Sequence, residues 1–194
     1  MAGQPGYARK ESLMASLTDN DLMLQVKLGE LDRLGLLFER HKQALFGYFY
    51  RRTGDSSTSE DLVQTVFFRI LKYRKRFKGY GRFTTWMYSI ARNVMVDHHT
   101  KRSGNPLPLE HRTVRDRAGE SAEVRILKDE RLRLLDEAMN QLREEHREIL
   151  ILAKFQDLKY RDIGEILGCT EGAVKVRIFR ALGELRRVYK QLEE

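Results

Sequence analysis

Cysteine is almost missing from this chain: Cys169 stands alone. That excludes an intrachain disulfide, disfavours a thiolate-rich zinc or iron–sulfur site, and fits a reducing, cytoplasmic setting. Proline is nearly as scarce. Pro5, Pro106 and Pro108 are the three, and none interrupts a helical pattern, as expected if the rest is helical. No apolar run reaches the about 18 residues that a spanning helix needs, so membrane insertion is not expected. The opening MAGQPGYARKESLM has no long apolar stretch of the signal-peptide kind and reads as a flexible tail to about Ser16. Sustained alternation at period two is also lacking, which points to an all-α fold. Catalytic signatures are missing as well: there is no G-x-x-x-x-G-K-S/T, no H-E-x-x-H and no paired cysteine motif. Asp97, His98 and His99 are consecutive, and adjacent positions do not converge on a helix. A phosphodiester-cleaving site would need His41 to meet Asp97 and His98 in space. No enzyme activity, metal or cofactor is expected.

Base is what the chain has in excess. Lys and Arg number 36 against 28 Asp and Glu, a net charge of +8 over 194 residues. This favours an anionic partner, nucleic acid before membrane. The clustering says more than the total. Arg69, Lys72, Arg74, Lys75, Arg76, Lys78 and Arg82 form a run with no acidic residue among them. The run leads into FTTWMYSIARNVMVDHHTKR, where Phe83, Trp86, Met87, Ile90, Ala91 and Val94 recur at helical spacing. Positive charge beside aromatic side chains holds a phosphate backbone and offers stacking platforms for bases.

The pattern predicts four helices before residue 103. Thr18 or Asp19 caps a first helix to Leu28, which Gly29 ends. A second runs from about Leu31 to Arg51, with Leu34, Leu37, Phe38, Leu45 and Phe49 inward. TGDSSTS, residues 53–59, reads as a polar loop, with Ser59 as N-cap and Glu60 and Asp61 in the first turn. The third helix carries Leu62, Val63, Val66, Phe67, Ile70 and Leu71 on one stripe; the fourth is Phe83 to Arg102. Residues 103–122 read as a linker by composition, too long for a simple turn in one compact domain. The expected organisation is therefore a tail (1–17), a helical bundle (18–102), the linker (103–122) and a second small helical domain (123–194).

In that second domain Val124, Leu127, Leu132, Leu135 and Met139 suggest one helix, and Ile149, Leu152 and Phe155 another. Tyr160, Ile163 and Leu167 space a short helix. Gly168 follows where a left-handed residue ends helices. Thr170 caps a longer helix striped by Val174, Ile178 and Leu182. This is the pattern of a helix-turn-helix. The exposed face of its last helix carries Lys175, Arg177, Arg180, Arg186 and Arg187. Glu171, Gly172, Ala173 and Lys175 at its N-terminal end would enter a major groove, where Glu accepts from cytosine and Lys or Arg bonds to guanine. Cys169 reads as a small filler in the turn. An ordinary helical hairpin with a solvated basic face is the plainer alternative.

Together these segments resemble the extracytoplasmic-function class of bacterial sigma factors. DLVQTVFFRILKYRKRF looks like the family's region 2.1–2.2, and Phe83 to His98 matches its F-x-x-W-L-x-x-I-A-x-N-x-x-x-D pattern. YRDIGEILGCTEGAVKVRIFRA looks like region 4.2. Local departures are Leu142–Arg143 for a frequent Leu-Pro, Lys159 for a capping Ser, and Val176 for a frequent Ser.

The resemblance implies a sigma factor that binds core RNA polymerase, through the β′ clamp helices and the β subunit, and recognises promoter DNA. Asp61, Gln64 and Arg69 are candidate outward polymerase contacts, although Asp61 equally suits the helix dipole. Lys78, Tyr80, Arg82, Phe83, Trp86, Asn93, Lys101 and Arg102 are candidates for the melted −10 element. Phe83 and Trp86 fit the core equally by periodicity, and Asp97 suits an anchor for a basic group within the fold. Glu171, Gly172, Ala173, Lys175, Val176, Arg177 and Arg180 are candidates for the −35 element. An anti-sigma factor is the further partner implied. The alternative is a stand-alone helix-turn-helix regulator.

Overall fold

The computed structural model describes residues 17–102, 122–156 and 158–194, with the side chains at 101–102 and 122–129 outside that description. The described residues form eight α-helices and no strand. They are α1 (Asp19–Leu28), α2 (Arg33–Thr53), α3 (Ser56–Tyr73), α4 (Phe83–Arg102), α5 (Ala122–Gln141), α6 (Glu144–Phe155), α7 (Tyr160–Leu167) and α8 (Glu171–Glu193), with one 3-10 turn at Arg74–Arg76. The expected linker lies outside the described residues, as do Val124 and Leu127 as side chains.

Local chemistry explains most helix ends. Thr18 caps α1 reciprocally: its hydroxyl accepts from the Asp21 N–H at 3.2 Å, and the Asp21 carboxylate accepts from the Thr18 N–H at 3.1 Å. Donation to the Asp21 carboxylate by the Thr18 hydroxyl, and then by its N–H, holds that carboxyl below the ordinary carboxylate range. The start of α3 differs from expectation. Asp55, not Ser59, is the N-cap, its carboxylate accepting from the Thr58 N–H at 2.6 Å. Asp caps as well as Ser does, and it comes four residues earlier. Ser59 is then inside the helix and buried. Its hydroxyl donates to the Asp55 carbonyl at 2.6 Å and lies 3.0 Å from the Thr53 hydroxyl.

Helices α1 to α4 pack as one bundle and α5 to α8 as another. The first core is built on Leu22, Met23, Leu45, Phe49, Val66, Ile70, Met87 and Val94. The second is built on Leu142, Ile149, Leu152, Ile163, Val174 and Ile178. The two are not separate. Helix α2 packs on α6 and α4 packs on α7, and the buried apolar cluster runs on through both bundles. Two residues expected inward point out instead: Phe155 and Leu182 are exposed. Phe155 lies under the Arg51 guanidinium, 4.1 Å from its ring centroid. No helix among the described residues is long and apolar enough to cross a membrane.

Candidate nucleic-acid interface

The loop between α3 and α4 is shaped by α1. Lys27 donates to the Phe77 carbonyl at 2.6 Å, and the Asn20 amide donates to the Gly81 carbonyl at 2.7 Å. The same Asn20 side chain accepts from the Phe83 N–H at 2.7 Å, filling the capping role at the start of α4. Phe77 turns inward, its ring 5.2 Å from Trp86 and 6.2 Å from Phe83. With the backbone pinned at both ends, Lys78 and Tyr80 project outward, Tyr80 at 88% exposure. Arg82 is exposed too, and its guanidinium reaches Asp162 of α7 at 3.4 Å.

Phe83 is a core residue. It is 1% exposed and packs against His41, Phe77 and Trp86, so it presents no surface to DNA. Its place at the first turn of α4 puts the ring directly under the pinned loop. Trp86 is half-buried. One side is packed on the core; the other lines a cavity of about 340 Å³ shared with Arg69, Tyr73, Arg76, Ser89, Ile90 and Asn93. Arg69 belongs here and not on the outward face of α3, because Asp97 on α4 binds it at 2.7 Å. Asp97 is thus the anchor that its position off the apolar stripe suggested. Arg76 lies 4.8 Å from the Tyr73 ring, so the wall combines an aromatic face with two guanidinium groups.

Tyr73 and Ser89 were not among the sequence candidates, and Arg76 was read only as part of the basic run. Tyr73 is the last residue of α3, where helical periodicity says little about direction. Asp61 and Gln64 lie exposed on the outer face of α3, and Phe68 joins them there at 65% exposure. Phe68 had a signal: it falls off the apolar stripe while Phe67 falls on it. The side chains of Lys101 and Arg102 lie outside the described residues. His41 binds Asp19 at 2.7 Å, on α1, and so does not join Asp97 and His98.

The second surface is the helix-turn-helix. Gly168 ends α7 with φ of 66°, a left-handed conformation that residues with a Cβ resist. Its neighbour across the turn is equally constrained. A Cβ on Gly164 would lie 2.6 Å from the Cys169 carbonyl oxygen, so only glycine lets the turn fold back so closely. Thr170 caps α8, accepting from the Ala173 N–H at 3.2 Å. Lys159 starts α7 without any side-chain cap bond, so that helix relies on packing through buried Ile163 and Ile166. Glu171, Gly172, Lys175, Val176, Arg177 and Arg180 are exposed and Ala173 is half-buried. Glu171 and Lys175 pair at 2.9 Å, which lowers the Glu171 carboxyl and raises the Lys175 ammonium from their ordinary values. A shallow cavity of about 490 Å³ separates this end of α8 from Lys159, Tyr160 and Arg161 at the start of α7. Those two cations extend the basic face beyond the helix the sequence singled out.

Known proteins match this arrangement along most of its length. Residues 37–104 match the family described as Sigma-70 region 2, and residues 132–185 match Sigma-70, region 4. The RNA polymerase sigma-H factor of Pseudomonas aeruginosa is 30% identical over 173 residues, covering 84% of this chain and 89% of that protein. The sigma factor CarQ of Myxococcus xanthus is 30% identical over 174 residues, covering 85% and 94%. Among solved structures, CnrH in complex with the cytosolic domain of CnrY superposes with a TM-score of 0.68 at 21% identity, covering 89% of this chain and 97% of that one. Sigma factor RpoE, solved with the anti-sigma factor NepR from Bartonella quintana, gives 0.66 at 22%, covering 80% and 96%. These two likenesses show the fold. A basic, aromatic-walled first bundle, a helix-turn-helix in the second, and family matches to both place the chain in the extracytoplasmic-function family of RNA polymerase sigma factors, non-enzymatic proteins that bind the polymerase and promoter DNA through regions 2 and 4.

Proposed function

We propose that the two surfaces divide promoter recognition between unpaired and paired bases. The bundle within residues 18–102 takes the melted −10 element, residues 123–194 take the −35 element as duplex, and residues 103–122 connect them. The cavity beside Trp86 carries this reading. A hole of about 340 Å³ is wide enough to receive a base, and Tyr73, Trp86 and Asn93 supply faces to stack on and an amide to hydrogen-bond. Base–aromatic stacking contributes about 1–3 kcal/mol per base. Duplex stacking averages about 1.4 kcal/mol per step, so capture of a few bases offsets local melting without any catalytic group. Tyr80 and Lys78 on the pinned loop, and Arg82, Lys101 and Arg102 at the two ends of α4, then serve the strand and its phosphates.

On α8, Glu171, Gly172, Ala173, Lys175, Val176 and Arg177 are placed to read a major groove, while Arg180, Arg161 and Lys159 serve the backbone. The Glu171–Lys175 pair leaves each partner able to exchange its bond for one to a base edge. Asp61, Gln64 and Phe68 form the face for the β′ clamp helices, with Arg69 held back in the cavity wall. The β subunit is the second polymerase contact. An anti-sigma protein is a further partner; two solved proteins of this fold were captured with CnrY and NepR. A stand-alone duplex-binding regulator would have no use for an aromatic-walled cavity with room for an unpaired base.

Transcription with purified core polymerase and a randomised promoter library tests the assignment. Initiation at defined sites with two enriched boxes is the expected result. A folded preparation that neither joins core polymerase nor directs it to a start site would refute it.

A further inference from the structure

Helix α1 has two working faces. Leu22, Met23 and Val26 are buried in the first core. Asn20, Leu24 and Lys27, spaced four and three apart, share a different side of the helix, and each meets the loop between α3 and α4. Lys27 donates to the Phe77 carbonyl at 2.6 Å and Asn20 to the Gly81 carbonyl at 2.7 Å. Between them, a Cβ added to Gly79 would come within 3.2 Å of a Leu24 methyl carbon. The contacts run antiparallel to the helix and take every second loop residue: 77, 79 and 81. The residues between, Lys78 and Tyr80, are exposed. The lengths agree with this register. Seven helical residues rise about 10.5 Å, and four residues of chain span at most about 13–14 Å. Left-handed φ at Gly79 (76°) and Gly81 (78°) keeps the loop short of full extension. The helix is itself fixed, because Asp19 binds Arg40 at 2.9 Å and His41 at 2.7 Å on α2.

We propose that α1 is a template for this loop, and that Asn20 and Lys27 are positioning residues that set Lys78 and Tyr80 for the −10 strand. The proposal rests on the assignment of the first bundle to unpaired DNA made above. Helix α1 precedes residues 37–104, which match Sigma-70 region 2, so the template lies outside that match. A loop with two left-handed glycines has little conformational preference of its own, since glycine takes up positive and negative φ about equally readily. Left free, it would have to be ordered by each strand it captured, and that entropy would oppose binding. Contacts from a fixed helix remove the cost in advance. They also exceed what the fold requires. The Phe77 ring is already anchored against Trp86 and Phe83, yet its carbonyl is held as well. Asn20 caps α4 by accepting from the Phe83 N–H, and its second bond, to Gly81, adds nothing to that helix.

Asn20→Asp and Lys27→Met test the template in the full-length protein. The aspartate keeps an acceptor for the Phe83 N–H and loses the donor to Gly81. The methionine keeps an unbranched stem and loses the ammonium. Urea unfolding checks that the double variant remains folded. In the free chain, nitrogen-15 relaxation should show wider motion of the Gly79 and Gly81 amides in the double variant, and Lys27→Arg in place of Lys27→Met should restore part of the order. In the polymerase complex, affinity for a −10 single strand should fall about tenfold, the upper range of what one hydrogen bond contributes, while the −35 box selected from a promoter library stays the same. On a background of Lys78→Ala with Tyr80→Ala the same two substitutions should cost less than about twofold, because a positioning residue acts through the side chains it places. Unchanged motion of Gly79 and Gly81 in the folded double variant overturns the template. Wider motion with full −10 affinity, or a tenfold loss undiminished on the alanine background, overturns the positioning role and leaves the promoter assignment intact. If the unaltered chain starts no RNA at a defined site, the promoter assignment falls and the positioning role with it, while the glycine relaxation still judges the template.

Discussion

The two surfaces differ in shape as much as in sequence. The first is a hole: residues of α3, α4 and the turn after α3 wall a cavity beside Trp86, and the charges lining it are partly committed, Arg69 to Asp97. The second is a ridge: α8 stands out with Lys175, Val176, Arg177 and Arg180 exposed along it. A base in a duplex shows only its edge, which a protruding helix can reach; an unpaired base shows two faces, which a walled cavity can cover. The contrast teaches that a basic run near aromatic residues does not by itself define a nucleic-acid site. On the proposed assignment, the sign of the surface's curvature decides which form of the nucleic acid fits.

The strongest test of the contrast separates scaffold from surface in the first bundle. Phe83→Ala should lower stability by about 3–5 kcal/mol, as for a fully buried aromatic, read by urea unfolding. A stable Phe83→Ala protein that selectively loses single-strand binding would return Phe83 to the surface and break the distinction. Tyr73→Ala should leave the fold in place and weaken binding of a −10 single strand by about 1–3 kcal/mol, measured by fluorescence anisotropy of the polymerase complex, with −35 duplex preference unchanged. On the ridge, Arg177→Glu should do the reverse. Selection from a promoter library should relax at one or two −35 positions, each good base contact being worth about 1–3 kcal/mol of discrimination, while the −10 box stays the same.

Two smaller effects sharpen the picture of the ridge. Thr170→Ala removes the cap of α8 and should cost about 0.5–2 kcal/mol in thermal or urea unfolding, with Thr170→Ser restoring most of it. Glu184 on α8 binds His146 on α6, with Arg143 nearby. Desolvation raises the Glu184 carboxyl, but the bond to His146, the imidazole's charge and the Arg143 guanidinium together outweigh it and leave the group below the ordinary glutamate value. A carboxylate with a depressed folded value stabilises the fold above its unfolded value and loses that contribution as pH falls through the folded one. His146→Ala should therefore bring the Glu184 titration, followed by carbon-detected NMR, back toward that of a free glutamate.

Much of the scaffold was legible from neighbouring residues. The first cap was narrowed to Thr18 or Asp19, and Thr170 was recognisable as a cap, Gly168 as a left-handed stop, and α4 as the helix Phe83–Arg102, because caps, turns and amphipathic stripes depend on residues within a few positions of one another. Where two local signals competed, the reading slipped: Asp55 and Ser59 are both good N-caps, and the earlier one starts α3. The candidate site was less legible. Arg69 was assigned to the outside because nothing within a helical turn announces Asp97. Tyr73 was passed over, and Arg76 was read only as one charge of the basic run, because the helix ends between them and the stripe no longer predicts direction. Phe155 and Leu182 kept the right spacing for burial, yet the facing helices leave them exposed.

Sequence alone determined that this chain is helical and basic, since periodicity, capping and charge clustering are properties of short stretches, and its two ordered motifs carried the resemblance to two sigma-factor regions. Tertiary structure decided which of the basic and aromatic residues face a cavity, which face solvent, and which are spent on one another. The Arg52–Glu148 pair shows why. Nearly a hundred positions separate the two residues, no local rule couples them, and burying either one is tolerable only when the fold delivers the other to within hydrogen-bonding distance.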